Sequence, residues 1–203
     1  IHVNKSHTTP PNFEQGVMDV IAKCSIDPTE VKDLTHGTTV VINALTERKG
    51  AKTGLITTRG FRDILEIGRG NRPDLFNFNF KKPEPFVPRY LRLEVSERVD
   101  YLGNEHEPLN EDDVRTCLEV FRKEGVEAIA VVYLHAYVNP AHEIRTKELI
   151  HQLWLEVMVT ASHEVSKEWR EYERESTAVL NSYVMPTAKA YVDRLYQELE
   201  KAG

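Results

Sequence analysis

Apolar residues recur at helical spacing in Phe13, Val17, Val20 and Ile21, behind Pro10-Pro11 and the capping residue Asn12, and predict a helix over 13–23. Asp27-Pro28 opens a short second helical turn. A further helix is expected over 40–48, with Val40, Val41, Ala44 and Leu45 inward; Lys49-Gly50 closes it, basic charge meeting the helix C-terminus. Thr53 to Thr58 (TGLITT) is compact, β-branched and bounded by Gly50 and Gly60, the profile of a buried strand. Phe61 to Ile67 suits a helical turn or two. Periodicity then vanishes from Gly68 to Pro88, where glycine and proline clusters surround Phe76, Phe78 and Phe80; irregular excursions of that length are more often functional than accidental. Leu91, Leu93 and Val95 alternate with Arg92, Glu94 and Ser96, which predicts a half-exposed strand over 91–99.

The acidic run Asn110-Glu111-Asp112-Asp113 caps a helix to Lys123, ended by Gly125. Ala128 to Leu134 is almost wholly apolar, as in a strand buried on both faces. Asn139-Pro140 starts a helix through Trp154, and Glu156 to Thr160 is a further strand. Two final helices are expected, 166–183 and 186–199, separated at Met185-Pro186 because proline interrupts the helical ladder. Helix followed by strand, twice over, indicates an α/β architecture with right-handed crossovers.

Composition adds exclusions. Of 203 residues, 40% are hydrophobic and 29% charged, as in an ordinary globular chain. No apolar run is long enough for a membrane span, and residues 1–10 carry no secretory signal pattern, so a cytoplasmic protein is expected. Cys24 and Cys117 lie too far apart for a disulfide framework or zinc knuckle and read as reduced, small hydrophobes. The net charge of −6 argues against a nucleic-acid partner. Residues 59–98 nevertheless hold nine Lys/Arg against six Asp/Glu, a local excess that suits phosphate or simply a solvated face.

Three constellations could carry chemistry. In His36-Gly37-Thr38-Thr39, glycine permits close backbone approach, and two hydroxyls beside the N–H groups of a helix start would hold an anion; alternatively a threonine there is only a helix cap. In Gly68-Arg69-Gly70-Asn71-Arg72-Pro73, two guanidinium forks on a restrained loop match carboxylate or phosphate; alternatively they pair with Asp63, Glu66 or Asp74. From Arg170 to Asn181 charges interleave at helical spacing, the usual pattern of exposed i,i+4 pairs. No metal-ligand set emerges: His142-Glu143 is not continued to HExxH, and there is no Walker A loop. His135, just beyond a buried strand, occupies a position where open α/β sheets bind ligands, or is a satisfied edge histidine.

The ordered string HGTTVVINALTERKGAKTGLITTRGFRDILEIGRGNRPDLF resembles the hydantoinase A/5-oxoprolinase family, as do PEPFVPRYLRLEVSERVDYLG, AIAVVYLHAYVNPAHE and EVSKEWREYERESTAVLNSYVMP. The resemblance covers nearly the whole chain. It implies an α/β fold, a mixed sheet flanked by helices belonging to part of an actin/Hsp70/sugar-kinase-like (ribonuclease H-like) domain, with residues 1–203 as an N-terminal region and 68–90 as its long loop. It implies an ATP-dependent hydrolase, with ATP and Mg2+, that activates a hydantoin- or 5-oxoproline-type cyclic amide by phosphorylation before ring opening. The alternatives are a subunit of an acetone or acetophenone carboxylase, or a docking region without catalysis; a hydantoinase B-like partner is expected in each case. Within that frame Gly37, Thr38, Thr39 and Asn43 are the candidate nucleotide contacts, and Arg69 and Arg72 the candidate catalytic residues. The family's Asp-x-Gly-Gly-Thr phosphate loop has no counterpart here and position 1 is not Met, so the chain is expected to be part of a longer protein and, alone, to show no ATP turnover.

Overall fold

The computed structural model describes residues 2–25, 27, 31–70, 74 and 76–202. The chain divides into two compact units, Arg48–Pro186 and Ile1–Glu47 with Thr187–Gly203.

The larger unit is built on four parallel strands in the order β2-β1-β5-β6: β1 (Thr53–Thr58), β2 (Arg92–Val95), β5 (Ala128–Val132) and β6 (Met158–Ala161). β1 and β5 are buried at every position, as their uninterrupted apolar and β-branched residues require of central parallel strands. Antiparallel pairing is confined to a separate ribbon of β3 (Arg98–Val99) and β4 (Glu105–Glu107). α4 (Glu111–Lys123) buries Val114, Cys117, Leu118 and Phe121, one helical stripe, and α5 (Ala141–Leu153) buries His142, Glu143, Thr146, Leu149 and Ile150. Short helix α3 (Ile64–Ile67) lies between β1 and β2, and short helix α6 (Ser162–Val165) follows β6. Asn110 caps α4: its Oδ1 accepts the amides of Asp112 at 3.0 Å and Asp113 at 3.2 Å. Replacing Asn110 by Ala should cost about 1 kcal/mol, readable as a lowered urea midpoint with an unchanged slope.

In the smaller unit, α1 (Phe13–Lys23) and α2 (Val40–Thr46) accompany the end of α7 (Glu171–Ala202). Glu14 of α1 is buried and pairs with Arg194 at 3.3 Å. The Phe13 ring meets Tyr191 edge-on.

Three local expectations are corrected. The predicted half-exposed strand 91–99 resolves into β2 and β3, and Arg92 within it is buried, donating to the Val87 carbonyl at 2.9 Å and pairing with Glu66. The two C-terminal helices are one, α7 (Glu171–Ala202), with Pro186 inside it. An internal proline costs about 3 kcal/mol, and packing of Ala178, Val179, Tyr183 and Val184 before it and Tyr191 and Leu195 after it outweighs that local preference. The apolar run after Ala128 leaves the strand at Val132, and His135 adopts a left-handed φ of 56° in the following turn. The expected turn at Asp27-Pro28 lies outside the described residues.

Candidate functional site

In the smaller unit, Thr39 stands at the start of α2, and Thr38 Oγ1 accepts the Val40 amide at 3.2 Å, so a capping role is part of what this segment does. Gly37, Thr38, Thr39 and Asn43 are all exposed and line one open hollow of about 590 Å³ with His36 and Tyr191, whose Nε2 and hydroxyl are 2.6 Å apart. A side chain at Gly37 would meet nothing within 4 Å, so packing among the described residues does not explain the glycine.

Arg69 belongs to the larger unit. It ion-pairs with Glu173, and not with Asp63, Glu66 or Asp74, the partners of the alternative reading. The first two serve other arginines: Asp63 takes both Arg89 Nε and Nη2, which holds its carboxyl below the usual range, and Glu66 takes Arg92. The glycines on either side of Arg69 have φ of 58° and 68°, so the turn itself demands them. Arg69 lines a hollow of about 400 Å³ with Glu66, Lys82, Phe80 and Tyr172. Arg72 lies outside the described residues.

At the carboxyl edge of the parallel sheet, where open α/β sheets bind ligands, a polar network forms in which Arg174, expected in an exposed charged stripe, is instead buried. Glu143, fully buried at the start of α5, accepts the Tyr133 amide at 3.0 Å, the Ser162 hydroxyl at 2.6 Å, and the His163 amide and Nδ1 at 3.0 and 2.7 Å. Arg174, also fully buried, donates to Ser162 Oγ, to the Glu168 carbonyl and to the Tyr133 carbonyl. Beside it, Thr58 donates to Glu97 and accepts the Leu134 amide, while His142 spans Glu97 and Glu105 at 2.8 and 2.7 Å. The hydrogen bond to Glu97, then that to Glu105, raises the His142 pKa. Burial lowers that of Arg174 and lifts the neighbouring Glu175 carboxyl to about 8, so Glu175 keeps its proton at neutral pH. His135 sits close by, its ring 5.9 Å from that of Tyr137, over which Arg174 lies. The usable signal was His142, Glu143 and Thr146 occupying the stripe of α5 that continues as Leu149 and Ile150: polar residues on a face that must be buried.

Among the described residues no three His, Cys, Asp or Glu side chains are arranged to hold a metal ion, and no helix is long and apolar enough to cross a membrane. Cys24 and Cys117 are free, and burial pushes the Cys117 thiol up to about 12, which makes it unreactive.

A four-stranded parallel sheet flanked by helices, with an ordered polar carboxyl edge, defines an α/β protein. The chain belongs to the hydantoinase/oxoprolinase family, whose N-terminal region matches residues 1–154. It superimposes on the crystal structure of ATP-dependent caprolactamase from Pseudomonas jessenii with a TM-score of 0.87 and 30% identity, over 98% of this chain and 30% of that one. It is 34% identical over 225 residues to the acetophenone carboxylase gamma subunit of Aromatoleum aromaticum, covering 100% of this chain and 30% of that protein. To 5-oxoprolinase of Dictyostelium discoideum it is 30% identical over 197 residues, 85% of this chain and 15% of that one. The chain thus spans less than a third of each of these three.

Proposed function

We propose that this chain is part of an ATP-dependent hydrolase that activates a cyclic amide, of hydantoin, 5-oxoproline or larger lactam type, before ring opening. The carrying observation is the shared hollow of Gly37, Thr38, Thr39 and Asn43: two hydroxyls, a carboxamide and an unobstructed glycine backbone, a donor set that fits phosphate oxygens. In this reading those residues hold the phosphates of ATP, which supplies the phosphoryl group, and Mg2+ arrives with the nucleotide. Arg69 and Arg72 orient the substrate or neutralise its charge, Arg69 by exchanging Glu173 for a ligand carboxylate or phosphate at an exposed site where an ion pair is worth little. The fold is read as part of an actin-like ATPase domain in a cytoplasmic, multisubunit enzyme, in keeping with its similarity to acetophenone carboxylase and caprolactamase subunits.

In the full-length protein with its partner, ATP consumption measured against hydantoins, 5-oxoproline, lactams and ketones should respond to a cyclic amide. Thr38→Ala and Arg69→Ala should each lower that turnover at least about tenfold, the lost bond to the Val40 amide costing Thr38→Ala no more than about 1 kcal/mol of stability. Wild-type turnover in both variants refutes the assignment, and stimulation by ketones alone moves the protein to the carboxylases. A second reading, a region that docks a hydantoinase B-like subunit, is favoured by Phe76 and Phe78, which are 87% and 89% exposed.

A further inference from the structure

Besides buried Val99 and the Arg98 guanidinium 5.0 Å from the Phe61 ring centre, two hydrogen-bonded ties attach the β3–β4 ribbon to the rest of its unit. One is uncharged: Asn139 Nδ2 donates to the Gly103 carbonyl at 2.9 Å. The other is His142, whose ring nitrogens both face carboxylates, Glu97 at the exit of β2 and Glu105 on β4. A carboxylate offers only acceptors, so both contacts are hydrogen bonds only when both nitrogens carry protons. The two carboxylates differ in what they can give up. Glu97 is buried and already receives the Thr58 hydroxyl, whereas the Glu105 side chain is 53% exposed and has water as an alternative.

We propose that Glu97, His142 and Glu105 form a proton-operated latch that holds the β3–β4 ribbon to the carboxyl edge of the sheet and lets it go when the imidazolium becomes imidazole. On losing its proton, His142 keeps the one on Nδ1, because a buried Glu97 without that donor would be left uncompensated. Nε2 then presents a lone pair to the Glu105 carboxylate, a repulsive contact that hydration of Glu105 relieves. The other charged groups nearby do not replace the latch. Asp100 and His106 pair with each other inside the ribbon. Glu143 on α5 is occupied by Tyr133, Ser162 and His163, and Arg145 by Glu111 and Glu148. Asp113 on α4 is taken by Ser96 and Arg59.

The sign follows from the direction of the shift. Both carboxylates raise the His142 pKa in the folded chain, so the latch is fully engaged below the ordinary histidine range and is lost as pH rises through the raised value.

Hydrogen exchange of the intact protein, followed by mass spectrometry and corrected for intrinsic rates, reads this directly in peptides covering residues 98–107. Ribbon protection should fall at least about tenfold between about pH 6 and about pH 9, while β5 peptides stay unchanged. His142→Gln, which does not titrate, should give a flat profile. Glu105→Gln should do the same, since an amide bonds neutral imidazole without repulsion. If His142→Gln fails to fold, Glu105→Gln, at a half-exposed position, decides alone. Ribbon protection that tracks β5 in the wild type, or a wild-type pH profile in Glu105→Gln, overturns the latch.

Discussion

Replacing Arg174 by Met should destabilise the larger unit by about 3–5 kcal/mol, the cost of breaking a buried charge network by deleting one member. Its guanidinium fork joins three segments that are distant in sequence: the Tyr133 carbonyl after β5, Ser162 after β6, and the Glu168 carbonyl before α7. Methionine matches the stem but leaves both carbonyls without their donor and removes the cation that balances Glu143, which Ser162 links to it. Glu143 remains fully buried, and its desolvation is no longer offset by the guanidinium. Arg174→Lys should fall between the two, because one ammonium cannot reach three acceptors in a fork. Urea unfolding with unchanged slope is the measurement, and a loss below about 1 kcal/mol for Arg174→Met would mean the network is not the structural tie described.

Why these residues escape a reading of the sequence is a matter of range. β1, β5, α1 and α4 were legible because their signals are local: unbroken β-branched or apolar runs, a stripe at helical spacing, an Asn cap. The network is not local. His142 meets Glu97 across 45 positions and Thr58 meets Glu97 across 39, and no spacing rule pairs them. Alternation sends Arg92 to solvent, a rule that presumes one wet face; here the Val87 carbonyl and Glu66 supply its partners and the side chain is buried. The ribbon was invisible because two- and three-residue strands carry no periodicity, although Asp100 arranges its turn by accepting the Leu102 and Asn104 amides. Pro186 misled for the opposite reason, a strong local rule overridden by packing along α7.

The two sequence motifs fare differently in three dimensions. The glycines around Arg69 are explained by their left-handed backbone, so that motif is a turn which also presents a guanidinium. Gly37 has no such explanation: a Cβ there would meet open space, and its backbone is not left-handed. Resemblance to the family raises both motifs together; the structure separates them by physical cause.

Gly54 carries the remaining large expectation. It lies mid-strand in β1, where glycine is normally a weakness, yet a Cβ there would come within 2.7 Å of the Phe121 ring, so the glycine is the notch that lets the last turn of α4 seat its aromatic side chain against the sheet. Phe121→Ala should cost about 3–5 kcal/mol through lost burial and the cavity left behind. Gly54→Ala should cost about 1–3 kcal/mol, by forcing the ring or the strand to move in a close-packed core. The double variant should lose less than the sum of the two, because the new methyl enters space that the ring has vacated; the coupling should exceed about 0.5 kcal/mol in a double-mutant cycle. Additive losses would show that the ring and the strand do not share that space in solution, and that Gly54 is retained for some reason other than the helix it faces.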